Sequence, residues 1–210
     1  MSPFEFAKEA KALDFEAVEY VTQLYINEIE ELGFEAVIDS LKNESEKYSI
    51  KNVLIMVDEE GDLADPDIDI RNQAVENHKK WVDAAKFLGC HSIRVNARGE
   101  GTAEEVASAA VDGLGKLSDY AATQGINVLV ENHGGYSSNG KWLADVMKRV
   151  GKPNCGTLPD FGNFCLTPGV GSISSDKCDD AYDIYKGIEE LMQHAKAVSA
   201  KSFDFDADGN

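Results

Sequence analysis

Glu131, Asn132 and His133 follow directly after the apolar residues 128–130, and two glycines come next. An apolar run of this kind is typical of a strand buried on both faces, as in parallel sheets that helices cover. Parallel barrels keep their reactive side chains at the carboxyl ends of their strands. A carboxylate, an amide and an imidazole at such a position could bind a metal ion or transfer protons. The alternative is a strand that ends in solvent and turns.

Polar residues also end other apolar segments of the chain. Asp58, Asn96 and Asp160 each come at the end of one. Because the carboxyl ends of parallel strands meet at one edge of a sheet, we expect Glu131 and Asp160 to lie at one mouth of a barrel. Oxygen ligands with few histidines suit Mg²⁺ or Mn²⁺ better than zinc. The alternative is a pair of solvated acids at two strand ends.

The elements that would position these residues alternate between helix and strand. Helical periodicity predicts helices at 4–13, 27–47 with a break near Gly33, 71–88, 102–124, 141–150 and 180–194. Short apolar runs predict strands at 15–21, 51–58, 92–96, 125–131, 156–160 and 197–202. This order predicts a TIM-type parallel (β/α) barrel. A closed barrel has eight strands, so the simplest explanation for six is that one strand is missing at each end.

Length and composition limit the classes of function. The 210 residues, 43% of them hydrophobic, suffice for one domain with a hydrophobic core, which we assign to 1–210. A net charge of −18 repels phosphate backbones and anionic membranes, so we expect neither nucleic acid nor a membrane as partner. The N-terminus lacks the layout of a signal peptide, and the expected location is the cytoplasm. Oligomeric state is left open, with a homo-oligomer among the alternatives.

The segment 162–179 is rich in Gly and Ser and has no helical or strand periodicity. Loops of this length are commonly lids or binding loops, and the alternative is a tolerated insertion. Cys165 and Cys178 share the loop and could bridge. In an intracellular chain, however, we expect these two cysteines, like Cys90 and Cys155, to be free thiols.

Four segments carry a resemblance to a known family: VLVENHGG at 128–135, GTLPDFGNF at 156–164, AAKFLGCHSIRVNA at 84–97 and VSAKSFDFD at 198–206. They resemble the sugar phosphate isomerase/epimerase family, the xylose-isomerase-like barrels, and the likeness runs over nearly the whole chain. In that family a divalent ion is held by Glu, Asp, His and Glu from four strand ends. The two glutamates move protons on opposite faces of the sugar.

The resemblance implies roles for particular residues. Glu131 matches the first glutamate and Asp160 the aspartate, while His133 and Asn163 match positions that tend to contact substrate. Asn163 stands where epimerases often carry histidine. The third ligand should be a histidine on the strand through 199–203, where Lys201 is the only ionisable side chain, and the second glutamate should come after the last residue.

The leading hypothesis is a divalent-metal-dependent isomerase or epimerase that acts on a small sugar or sugar phosphate through an enediolate. Glu131 would be metal ligand and base, and Asp160 a ligand of Mn²⁺ or Mg²⁺. The residues expected to bind substrate are His133, Asn163, Arg94, Asn96 and Lys201. The second hypothesis is a non-catalytic or degenerate sugar-binding barrel, because two ligands are absent, and for the same reason we expect little activity from the chain as given. The endonuclease branch of the superfamily uses a histidine-rich zinc cluster, which four histidines and a charge of −18 disfavour.

Overall fold

Five parallel strands and the helices between them make up the computed structural model, which describes residues 2–203. The strands pair in sequence order, each parallel to the next. They are β1 (Ala17–Val21), β2 (Lys51–Met56), β3 (Ser92–Asn96), β4 (Asn127–Glu131) and β5 (Cys155–Leu158). The predicted parallel (β/α) architecture is confirmed as a partial TIM barrel.

Seven α-helices within residues 2–203 connect and cover the strands. They are α1 (Phe6–Ala12), α2 (Ile26–Leu32), α3 (Phe34–Tyr48), α4 (Ile68–Leu88), α5 (Ala103–Gln124), α6 (Gly140–Val150) and α7 (Ile184–Met192). Short 3₁₀ turns cover Pro3–Glu5, Thr22–Tyr25 and Gly135–Ser138. The break predicted near Gly33 separates α2 from α3, where this glycine has a φ of 87°. None of the helices in the described range is long and apolar enough to cross a membrane.

Side-chain caps fix where several helices begin. The predicted capping box precedes α5: the Thr102 hydroxyl accepts from the Glu105 amide, and the Glu105 carboxylate accepts from the Thr102 amide at 2.9 Å. Helix α7 begins later than the predicted residue 180 because the Asp183 carboxylate caps it, accepting from the Lys186 amide at 2.9 Å.

The two faces of the sheet carry different clusters. Side chains that face the helices form the large hydrophobic core, whereas Leu54, Leu129 and Leu158 form a small cluster on the opposite face, the barrel interior. Residues two apart along a strand share a face. Glu131 and Asp160 each come two residues after an interior leucine, and the alternation therefore directs both carboxylates to the interior at the carboxyl end of the sheet.

The sixth predicted strand, 197–202, is not a regular strand. It runs parallel to β5 and its extension but pairs only through isolated bridges, from Ala195 to Thr157 and from Ser199 to Asp160. The Ser199 amide donates to the Pro159 carbonyl at 2.8 Å, and this pairing brings the following residues to the barrel mouth. Most of the predicted acidic tail lies outside the described residues.

The loop 162–179 corrects one prediction. Cys165 and Cys178 form a disulfide with a Cα–Cα distance of 5.9 Å, so the expectation of free thiols was wrong for this pair. The physical reason is that the chain folds back, with Cys165 paired antiparallel to Ala181, which brings the two cysteines within bonding distance. Cys90 and Cys155 are free, as predicted.

Candidate functional site

Arg94 lies at the centre of the polar residues on the interior face. Its side chain is 5% exposed, and its Nη1 donates to Asp58 Oδ1 at 2.7 Å. Its Nε lies 2.8 Å from Glu131 Oε2, an ion-pair distance, although this N–H makes no hydrogen bond. The register of the sheet explains the contact, because Asn96, two residues further along the same face of β3, is directly opposite Glu131.

Glu131 is a buried carboxylate with a hydrogen-bond donor at one oxygen and an arginine at the other. Its Oε1 accepts from Asn163 Nδ2 at 3.0 Å and lies 3.2 Å from His133 Nδ1. Burial acts to raise the pKa of Glu131, but the hydrogen bond from His133 and the positive charges of Arg94 and Lys201 outweigh it and hold the pKa below its ordinary value. Glu131 is therefore an ionised carboxylate at neutral pH, the form that a base requires.

Asp160 is 1% exposed and is also fully engaged by donors. Its Oδ1 accepts from the Gly162 amide at 2.8 Å, and its Oδ2 accepts from Ser199 Oγ at 2.8 Å. Lys201 Nζ lies 3.0 Å from the same Oδ2 and donates to Asn163 Oδ1 at 3.0 Å. The amide of Asn163 thus links the two halves of the site, since it donates to Glu131 and accepts from Lys201.

Asn132, the middle residue of the triplet after β4, holds the neighbouring backbone in place. Its side chain is fully buried and donates to the carbonyls of Asp160 and Asn163 at 2.9 and 3.1 Å, while it accepts from the Asp160 amide at 2.7 Å. These bonds satisfy polar groups that would be costly to bury alone. Asn132 therefore fixes the position of Asp160 relative to the end of β4.

The donor set of this site does not fit a divalent ion. Between residues 2 and 203, no group of three or more His, Cys, Asp or Glu side chains is arranged to hold a metal. The oxygens of Glu131 and Asp160, the predicted ligands, already face donors, and two of those donors, Arg94 and Lys201, are cations. A divalent ion would have to displace them. Metal binding by this pair of acids stays a prediction.

A cavity of about 480 Å³ opens at the carboxyl ends of β2, β3 and β4. Its volume lies within the range of small-molecule sites. Its polar lining consists of Gln23, Asp58, Glu59, Glu60, Asp62, His78, Asn96, Arg98 and His133. Asn96 Nδ2 donates to Asp58 Oδ1 at 2.7 Å, whereas its own Oδ1 is buried without a partner among the described residues. Because His133 contacts Glu131 and also lines the cavity, it connects the buried carboxylate with the space for a ligand.

The structure brings the seven predicted site residues into one connected group. Asn96 joins it through Asp58, and the others contact one another directly; the members are Arg94, Asn96, Glu131, His133, Asp160, Asn163 and Lys201. Their individual roles stay predictions.

Glu19 on β1 was missed by the sequence reasoning. Burial raises its pKa, the charge of Arg94 acts to lower it and the charge of Glu131 acts to raise it, so it lies within electrostatic reach of the site. The alternation in β1 could have indicated this residue. Val18 and Tyr20 are buried towards the helices, and residue 19 therefore lies on the opposite face of the strand, the barrel interior.

Comparison with known proteins supports this architecture. The sequence matches the family of xylose isomerase-like TIM barrels over residues 7–204. A comparison with curated proteins found no significant match.

Similar solved structures share the fold at low sequence identity. The apo form of 3-keto-D-glucoside 4-epimerase from E. coli has a TM-score of 0.71 at 14% identity, over 94% of this chain and 73% of that one. D-psicose 3-epimerase with D-tagatose, from Clostridium cellulolyticum H10, has a TM-score of 0.70 at 14% identity, over 94% and 67% of the two chains. A xylose isomerase-like TIM barrel protein from Mycobacterium smegmatis in complex with magnesium gives 0.70 at 14%, over 97% and 68%.

The chain therefore spans about two-thirds to three-quarters of the length of these structures. The parallel sheet, the polar residues at its carboxyl end and the match over residues 7–204 agree with one another. This chain belongs to the family of xylose isomerase-like TIM barrels.

Proposed function

We propose that this barrel is a sugar isomerase or epimerase, which removes a proton next to a carbonyl and forms an enediolate. The observation that carries the proposal is Glu131, a carboxylate held in its ionised form at the end of a barrel strand, beside a cavity of about 480 Å³. Barrels of this type keep their reactive groups at this end. The names of two similar structures, a 4-epimerase and a 3-epimerase of sugars, support the same class of reaction.

In the proposed reaction Glu131 accepts the proton from the carbon next to the carbonyl, and the resulting carboxylic acid returns a proton to a carbon of the enediolate to give the product. The enediolate that forms carries negative charge, and fixed cations close to such a charge stabilise the transition state. Arg94 and Lys201 are the cations beside the two buried carboxylates. His133 and Asn163, which contact Glu131, would orient hydroxyl groups of the sugar.

The sequence-based hypothesis also includes Mn²⁺ or Mg²⁺ at Glu131 and Asp160. A divalent ion would polarise the carbonyl and make the neighbouring proton easier to remove. In this chain such an ion has to displace Lys201 from Asp160, where the Nζ–Oδ2 distance is 3.0 Å. The proposed proton transfer therefore stands without the metal, and assays with and without added Mn²⁺ separate the two cases.

The charge of the cavity favours an unphosphorylated sugar. Four carboxylates, those of Asp58, Glu59, Glu60 and Asp62, line it together with one permanent cation, Arg98. A phosphate group, which carries close to two negative charges at neutral pH, would be repelled by such a lining. We propose a neutral small sugar as substrate and expect the corresponding sugar phosphate to bind more weakly.

Proton exchange with solvent tests the proposal directly. A panel of ketoses and their phosphates is incubated with the protein in D₂O, with Mn²⁺ or with EDTA, and deuterium next to the carbonyl is followed by NMR. The Glu131→Gln variant should lose exchange by about 10²- to 10⁴-fold, the usual contribution of a positioned base. Glu104→Gln, which changes an acid whose side chain is 76% exposed on α5, is the matched control and should keep wild-type exchange.

Two results would contradict the proposal. Exchange that persists in Glu131→Gln would place the base elsewhere. Binding of sugars without exchange or isomerisation of any of them would favour the second hypothesis, a non-catalytic sugar-binding barrel.

A further inference from the structure

We infer that the ammonium group of Lys201 is the built-in cation of this site, and that it occupies the position between Asp160 and Asn163 that a divalent ion would need. The inference concerns the site of the proposed function. Its test measures metal binding and not turnover, so the two can fail separately.

The contacts of Asp160 are the first observation that supports this inference. Lys201 Nζ lies 3.0 Å from Asp160 Oδ2 and 3.0 Å from Asn163 Oδ1, so two oxygens converge on one ammonium group. Ser199 Oγ donates to the same Oδ2 at 2.8 Å, and the Gly162 amide donates to Oδ1 at 2.8 Å. Asp160 is 1% exposed, so no face of its carboxylate is left open to an ion from solvent.

The contacts of Glu131 are the second observation that supports this inference. Asn163 and His133 face its Oε1 at 3.0 and 3.2 Å, and Arg94 Nε lies 2.8 Å from its Oε2. Arg94 also binds the third carboxylate of the group, that of Asp58. Two cations of the chain thus face three carboxylates, and a divalent ion placed among them would be repelled by both cations.

The chain path explains why Lys201 reaches this position. Ser199 is paired with the extension of β5, its amide donating to the Pro159 carbonyl and its carbonyl accepting from the Phe161 amide. In extended backbone, residues two apart share a face. Ser199 and Lys201 both contact Asp160 Oδ2, as this geometry requires.

A lysine can also act on the substrate in ways that agree with the proposed function. An ammonium group has three N–H donors. One of them donates to Asn163 Oδ1, and the ammonium group also forms an ion pair with Asp160 at 3.0 Å. A further N–H would donate to an oxygen of the sugar and place positive charge next to the developing enediolate.

Mn²⁺ binding to the 210-residue chain tests the inference. Titration calorimetry and Mn²⁺ EPR compare the wild type with Lys201→Glu, which replaces the cation by a carboxylate, and with Lys196→Glu, the same charge change at an exposed lysine of the same segment. We expect no saturable site in the wild type or in Lys196→Glu. Lys201→Glu should bind one Mn²⁺ at least about tenfold more tightly than the wild type or Lys196→Glu does. Adding Asp160→Asn should abolish this gain.

Other outcomes would overturn the inference. Saturable binding of one Mn²⁺ by the wild type that is lost in Asp160→Ala would show that the ion enters despite Lys201. If folded Lys201→Glu gains no more affinity than Lys196→Glu, Lys201 is not the group that keeps the ion out, and the inference fails. If circular dichroism shows that Lys201→Glu is unfolded, Lys201→Gln carries the test: it removes the charge at similar length, and it must exceed the wild type in Mn²⁺ affinity.

Discussion

Replacing Arg94 by methionine should destabilise the protein strongly. Methionine keeps much of the apolar stem but removes the charge that faces Asp58 at 2.7 Å and Glu131 at 2.8 Å. Removing one partner of a buried ion pair typically costs about 3–5 kcal/mol, because the other charge stays buried. The side chain of Asp58 is 16% exposed and can be partly solvated, so we expect the lower end, about 3 kcal/mol. For a chain of this size that corresponds to a decrease in Tm of about 6–12 °C.

The loss of stability should depend on pH. In the wild type the pKa of Glu131 is lowered, so its contribution to stability is present above its unfolded pKa and is lost as the pH falls through the folded value. In Arg94→Met burial still raises this pKa, whereas one of the charges that lower it is gone. The folded pKa therefore moves upward, and protonation relieves the buried charge at a higher pH than in the wild type. The difference in unfolding free energy should be largest near about pH 7.5 and smaller near about pH 5.5.

Urea denaturation at both pH values measures this difference. Arg149→Met is the matched control, because Arg149 pairs with Glu104 on the surface, where the two side chains are 40% and 76% exposed. Such surface pairs contribute about 0–1 kcal/mol. The reasoning would be refuted if the two variants lost equal stability, or if the loss in Arg94→Met were the same at both pH values.

Three further predictions concern the packing of α7 and the loop before it. Gly187→Ala should lower the free energy of unfolding by about 1–3 kcal/mol in urea, because the added Cβ would lie 2.3 Å from a ring carbon of the fully buried Phe164; unchanged or increased stability would contradict this. Cys178→Ser should cost about 2–3 kcal/mol by opening a short disulfide loop, and a reductant should lower the stability of the wild type but not of the variant. The loop 162–179 should exchange its amide protons faster than the core segment 106–121 of α5, and equal protection would contradict its expected mobility.

The fold could be predicted largely because its signals are local. Apolar runs marked β2 to β4, and the Thr102–Glu105 pair marked the start of α5. The polar residues at the strand ends could be placed at one mouth because parallel strands leave no other arrangement. Alternation places Arg94 on the same interior face as Asn96, which lies opposite Glu131, and the Arg94 side chain reaches Glu131 from there.

What could not be predicted depends on how distant segments fold back. The disulfide between Cys165 and Cys178 forms because the loop returns beside its own start, and no local pattern indicates that return. The segment after Ala195 has the composition of a strand but pairs with β5 only through isolated bridges. Glu19 was missed because a single acid in a short strand forms no recognisable motif. Its position becomes informative only when the face of β1 that carries it is known to be the barrel interior.

The difference between local sequence signals and contacts of distant segments also affects how acids at strand ends are interpreted. Glu131 and Asp160 predict a metal site only as long as their neighbours are unknown, because buried carboxylates need positive charge and a metal ion is one of several sources. In this chain Arg94 and Lys201 supply it, one from the adjacent strand and the other from the segment beside β5. Both cations are visible in the sequence, but their distance to the acids is not. The sequence therefore predicts a role in substrate binding for them and gives no sign of the ion pairs. Two acids at the mouth of a parallel barrel can be balanced by lysine and arginine of the chain as well as by a metal, and only the distances between the side chains distinguish these cases.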